Sequence, residues 1–177
     1  MTTPHSTVVC DAVALVLAGL VTAVAGRVYR ARTWPTQEDE QPALLVYGWQ
    51  EELKRTGGDS TQSQYEVAYT LAVVIRVNAA SADGEAAEAD LQEIAGTVRE
   101  AVLTCASLFL APGRLIESIE GVKTTLGIDT RTGEVAVGQA QVAFSMKWTE
   151  VFAVPSPPVD CTGFDTFVRL KAVPASP

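Results

Sequence analysis

Histidine is nearly absent: His5 is the single one in 177 residues, and it stands in a Thr/Pro/Ser-rich start (MTTPHST). Acid–base chemistry built on imidazole therefore has one candidate, and short polar termini of this kind are expected to be mobile or held by a partner. Basic residues are scarce as well, with 13 Lys and Arg against 21 Asp and Glu for a formal charge of −8 and a pI near 4.6. Affinity for a nucleic-acid backbone comes from clustered cations, so this balance argues against phosphate-backbone binding.

The three cysteines, Cys10, Cys105 and Cys161, are widely spaced. They have neither the Cys-x-x-Cys geometry of a zinc site nor the density of a secreted disulfide scaffold. Reduced, buried cysteines acting as small hydrophobes are expected, in keeping with a cytosolic origin. The Gly57-Gly58 pair is followed by neither Lys-Ser/Thr nor a helix start, which excludes a phosphate-cradling loop. What the chain does have is 47% hydrophobic and 19% charged residues, the composition of a folded protein with one core.

Residues 8–26 (VVCDAVALVLAGLVTAVAG) approach the length a bilayer requires. Asp11 lies inside the run, no Lys or Arg precedes it, and the residues divide at helical spacing. Val13, Leu17, Leu20 and Val24 form one stripe; Asp11, Ala18, Gly19, Thr22 and Gly26 fall mostly opposite. The pattern predicts a buried helix of a soluble protein, capped by Thr7 or Ser6, with Arg27 and Arg30 where a helix C-terminus favours cations. Residues 32–41 (RTWPTQEDEQ) then read as a connector, since Pro35 and Pro42 stop a helix.

Residues 43–49 (ALLVYGW) suit a short strand, and residues 50–64 (QEELKRTGGDSTQSQ) have the Gly/Ser/Asp content of an exposed loop. The clearest strand is 65–77: Tyr65, Val67, Tyr69, Leu71, Val73, Ile75 and Val77 recur at period two, with Glu66, Thr70 and Arg76 on the other parity. Ser81 or Asp83 is placed to cap a helix reaching about Cys105, whose apolar face is Ala87, Leu91, Ile94, Val98, Val102 and Cys105. Its acidic face, with Glu85, Glu88 and Glu100, is expected to be a solvated surface rather than a paired-carboxylate site.

After the Pro112-Gly113 turn a strand is expected around 115–122, with Glu117 and Glu120 exposed. A hairpin turn near 129–133 follows; Asp129 and Glu134 resemble half a calcium loop, but the alternating acidic ligands that calcium needs are missing. Residues 135–151 predict a long strand with Val142, Phe144, Met146 and Trp148 on one face and Gln141, Ser145 and Lys147 on the other. A Pro-rich hinge (Pro155, Pro157, Pro158) leads to an apolar segment that must pair with its own sheet or a neighbour. The order of elements predicts an α+β fold: a mostly antiparallel sheet with two helices packed on one face, residues 1–154, plus an extended C-terminal arm, residues 155–177.

Several stretches together resemble the tail terminator, or tail completion, proteins of long-tailed bacteriophages. They are the apolar N-terminal helix, the PALLVY stretch at 42–47, the alternating strand 65–77, the acidic-faced helix 83–105 and the final strand ending KWTEV at 147–151. The resemblance covers about residues 8–152, in element order and local pattern, and leaves the arm unmatched.

The resemblance implies a structural virion protein at the head-proximal end of the tail, made in the host cytoplasm, with no catalytic residue, metal or cofactor. Such proteins form a ring, expected to be a homohexamer, that caps the tail tube protein, ends tube polymerisation and docks the head-side connector. DNA passes through the lumen without specific binding, and no membrane is involved. On this basis loops 53–64 and 123–138 are expected to protrude toward the tube or connector, with Lys54, Arg55, Asp59, Lys123, Asp129, Arg131 and Glu134 as interface residues. Phe164, Phe167 and Leu170 of the arm are expected to pair with an adjacent subunit. Other expectations from the same residues are a head–tail joining protein, the cap of a contractile injection apparatus, and a small-ligand domain or enzyme.

Overall fold

The structure, a computed structural model, describes residues 3–30, 41–59, 61–79, 84–110, 113–129 and 136–153. The 31–40 connector, the Ser81 and Asp83 caps, Arg131, Glu134 and the whole arm with Phe164, Phe167 and Leu170 lie outside the described residues.

Helix α1 spans His5–Leu20 and buries Val9, Cys10, Val13 and Leu17. It begins two residues earlier than its expected caps, with Pro4 at the N-cap accepting from the Thr7 and Val8 amides. It also stops earlier than expected. A single 3₁₀ turn, Thr22–Val24, and two left-handed residues, Ala25 and Gly26, redirect the chain. Val21 and Val24 carry the core beyond the helix end, and Leu20, expected in the stripe, is exposed.

The redirected chain forms a strand missing from the sequence-based expectation, β1 (Val28–Arg30), so Arg27 and Arg30 do not cap α1. Arg27 Nε donates to the Pro42 carbonyl at 3.0 Å, and Arg30 Nε reaches Asp11 Oδ1 at 2.7 Å. Three residues of β1 pair in parallel with β2 (Ala43–Gly58), which runs antiparallel to β3 (Gln62–Ala79). The 50–64 segment is therefore not a loop: the strand runs to Gly58, and only the turn at 59–61 separates it from β3. Its polar composition reflects exposure on both faces, which erases the alternation that marks a half-buried strand.

Helix α2 (Gly84–Leu103) and the single turn α3 (Ala106–Phe109) lead to β4 (Ser118–Asp129) and β5 (Ala136–Ala153). Among the described residues the sheet has five strands in the order β1-β2-β3-β5-β4. Only the β1–β2 pair is parallel, and α1 and α2 pack together on one face, giving the expected α+β architecture. The α2 residues Leu91, Ile94, Val98 and Val102 meet Leu71, Val73, Ile75, Val142, Phe144 and Met146 in one buried cluster, as the two periodicities predict, and Ala87 on the same helix face is buried too.

Two residues assigned to polar surroundings are within the fold. His5 Nε2–H donates to the Leu115 carbonyl at 2.7 Å, and its ring centroid lies 5.1 Å from that of Trp148. Arg76 is 6% exposed on the face away from the helices, where its Nη2 donates to Gln139 Oε1 at 3.1 Å. Desolvation in this position pushes its pKa down to about 10, opposed by the Tyr47 phenol.

Candidate interaction surface

Helical cover of the sheet ends at the His5–Trp148 contact, and β2, β3 and β5 continue past it. On the helix-bearing face the register aligns Leu53 with Val67, Arg55 with Tyr65 and Ser63 with Phe152. Val67 is fully buried, whereas Leu53 is 42% and Phe152 46% exposed, so burial stops within one residue pair. Phe152 lies edge-on to Tyr65 with ring centroids 5.7 Å apart, forming an apolar shelf beyond the helices.

Trp49 sits where the β2–β3 register shifts between Gly48 and Gln50, and is 67% exposed. A bulge of this kind turns a side chain away from the alternation of the strand. The preceding Gly48 is required by its neighbour, because a Cβ there would overlap the Tyr69 hydroxyl. The Tyr69 hydroxyl in turn meets Cys10 Sγ at 2.9 Å inside the core, and the two line a pocket of about 340 Å³ with Trp49, Arg30 and Glu51. Burial first, and the Cys10 hydrogen bond second, hold the Tyr69 phenol above the usual tyrosine range.

Beyond Trp49 the strand carries charge on both faces. Glu51, Leu53 and Arg55 lie on the helix side; Glu52 and Lys54 alternate with them on the other. At the turn, Asp59 Oδ1 accepts from the Thr61 amide and hydroxyl, both at 2.7 Å, and from the Gln62 amide at 3.0 Å. These bonds, Thr61 foremost, hold the Asp59 carboxyl below its ordinary pKa. The turn also needs Gly58, whose φ of +109° and approach to the Gln62 carbonyl leave no room for a side chain.

Among the described residues, the expected interface positions do not gather on one surface. Lys54, Arg55 and Asp59 share the β2–β3 hairpin, but Lys123 lies within β4 opposite Ala143. Two strands separate β4 from β2, a spacing of about 14 Å. Asp129 pairs with Val137 at the opposite end of the sheet from the Asp59 turn. The described parts of segments 53–64 and 123–138 are thus mostly strand, with Gly58 and Asp129 at opposite ends of the sheet, and Lys123 belongs to a strand. Unanticipated on this surface are Glu51, Glu52, Trp49 and Phe152; the acidic pair directly before Leu53-Lys54-Arg55 is the signal that could have marked Glu51 and Glu52, whereas Trp49 and Phe152 are placed by the register of the strands.

On the outer face, Lys147 of β5 joins its neighbours: its Nζ is 2.9 Å from Glu120 of β4 and 3.5 Å from Glu66 of β3. The Glu120 contact is the main cause of a raised Lys147 pKa. Among the described residues no cluster of His, Cys, Asp and Glu is placed to hold a metal ion, and no helix is long and apolar enough to cross a membrane. No known protein family and no curated protein matches the chain.

Proposed function

We propose that this chain is a structural virion protein of the tail-terminator kind. Copies form a ring, of six subunits on the resemblance, that caps the tail tube, ends its polymerisation and receives the head-side connector while DNA passes through without specific binding. The protein acts by its surfaces and not as an enzyme, and it resides at the head-proximal end of the tail.

The observation that carries this reading is the three-stranded extension of β2, β3 and β5 past the helical cover. It exposes Trp49, Leu53, Val151 and Phe152 beside alternating charges on a rigid sheet. A sheet that projects beyond its own core with apolar and charged side chains together is suited to subunit and partner contact. The α+β fold has the element order on which the resemblance rests, and a charge of −8 suits a conduit that does not retain passing phosphates.

Light scattering of the purified chain, alone and with tail tube protein, tests the proposal. A discrete closed ring supports it, and a monomer or dimer that never joins a ring in the presence of tube protein overturns it. Removing residues 155–177 should weaken ring assembly while the domain stays folded; normal assembly of the truncated chain would reject the assigned role of the arm.

A further inference from the structure

Beyond the ring reading and independently of it, we infer that a second copy of this chain adds to the outer edge of β2, antiparallel, about a two-fold axis at Leu53. On that edge β1 covers only Leu44, Leu45 and Val46. From residue 48 to residue 58, β2 has β3 on one side and, among the described residues, no strand on the other. Leu53 is the midpoint of this open stretch.

The sequence around that midpoint is complementary to itself when reversed. In Glu51-Glu52-Leu53-Lys54-Arg55, antiparallel pairing centred on Leu53 sets Glu51 opposite Arg55, Glu52 opposite Lys54, and Leu53 opposite its own copy. The two-fold generates four oppositely charged pairs around one apolar contact. Directly opposed residues share a face in an antiparallel ladder. The Glu51–Arg55 and Leu53–Leu53 pairs therefore fall on the helix side of both copies, and the Glu52–Lys54 pairs on the outer side. Helices of the two copies remain on the same face, and the sheet continues from one copy into the next.

Charge also fixes the register. A slip of two residues in either direction brings Glu52 against Glu52 or Lys54 against Lys54, and a slip of one exchanges the faces. The length fits too, because the centred pairing sets residue 58 of one copy opposite residue 48 of the other, short of Val46 where β1 lies. Charges on an edge strand ordinarily serve to repel neighbours. A protective edge needs like charges, whereas this one carries two acids and two bases in mirrored positions, and its central Leu53 is 42% exposed. Isologous contacts have this signature: one patch complementary to itself.

The experiment uses the full chain and two double variants, Glu51→Lys with Glu52→Lys, and Lys54→Glu with Arg55→Glu. All four side chains are exposed, so circular dichroism should show the wild-type fold. By light scattering, each variant alone should have half the wild-type mass at the same concentration. An equimolar mixture of the two should recover that mass as a one-to-one pair, since each restores the complement the other lacks. Hydrogen exchange should show protection of the amides between residues 49 and 57 that point away from β3 in the wild type and the mixture, and its loss in either variant alone, while the amides bonded to β3 stay protected throughout. Unchanged mass in both variants, or failure of the mixture to recover it, overturns the proposal; so does a wild-type chain that stays monomeric at every concentration.

Discussion

The Tyr69 hydroxyl lies 2.9 Å from Cys10 Sγ, joining the central strand of the sheet to a helix 59 residues earlier in the chain. Both side chains are buried at the edge of the pocket they line, so each satisfies the other where few alternative partners are at hand. Tyr69 also stacks edge-on against Trp148 at 5.3 Å, which places one ring between α1, β3 and β5.

Tyr69→Phe should lower unfolding free energy by about 0.5–1.5 kcal/mol, the net worth of one buried hydrogen bond. It should also change the alkaline limb of stability. The unfolded chain releases the phenolic proton near the ordinary tyrosine pKa of about 10, while the folded chain retains it to higher pH. Above that value the folded state binds more protons than the unfolded one, so stability falls as pH rises; below it this contribution is constant. Denaturant titrations at a series of alkaline pH values should give a steeper fall for the wild type than for Tyr69→Phe.

Gly48→Ala is expected to displace the Tyr69 ring, because the added Cβ overlaps the phenolic oxygen. Overpacking of this kind costs about 1–3 kcal/mol. Combining it with Tyr69→Phe removes the overlapping atom, so the double variant should lose less than the sum of the two singles by chemical denaturation. Strict additivity would mean that the contact does not set the cost.

Asp59→Ala should loosen the β2–β3 turn and leave the core untouched. Faster hydrogen exchange at the Thr61 and Gln62 amides, with unchanged exchange at Leu71 and Val73, is the expected result. The same loosening should occur in the wild type on acidification. The Asp59 carboxyl has a lowered folded pKa, so its contribution is complete above the unfolded value near 3.8 and is lost as pH falls through the folded one.

Leu91→Ala, in the middle of the α2 apolar face, should cost about 2–5 kcal/mol, read from thermal or urea unfolding. Leu91 is fully buried, and its Cδ1 would lie 2.9 Å from a Cβ placed on Gly138. The reciprocal change, Gly138→Ala, should be tolerated better in the Leu91→Ala background than in the wild type.

Strand β3, strand β5 and helix α2 were legible because each buries one face over several turns or pleats. Val67 through Val77, Val142 through Trp148 and Leu91 through Val102 all recur at the period of their own element. What escaped the sequence was set by contacts with no period. Three residues are too few for β1 to show alternation, and the last residues of β2 are wet on both faces and so carry no hydrophobic rhythm. His5 was taken as part of a loose terminus, yet its place follows from a carbonyl at Leu115, which sequence separation conceals. For the candidate surface, Lys54, Arg55 and Asp59 were expected beside Lys123 and Asp129 from the resemblance, and the sheet order that separates the two groups was not legible at all.

The placement of β5 between β3 and β4 has a consequence for biosynthesis. A ribosome delivers β3 long before its partner on that side, so Leu71, Val73 and Ile75 emerge on a strand with one edge still open. Strand β4 appears next and has no neighbour until the same late segment arrives. Assembly of the sheet cannot follow the order of translation; it waits for one strand that fills the gap from within. Pairings so distant in sequence are slow to close, which places the commitment to the native state after the whole of β5 has left the exit tunnel.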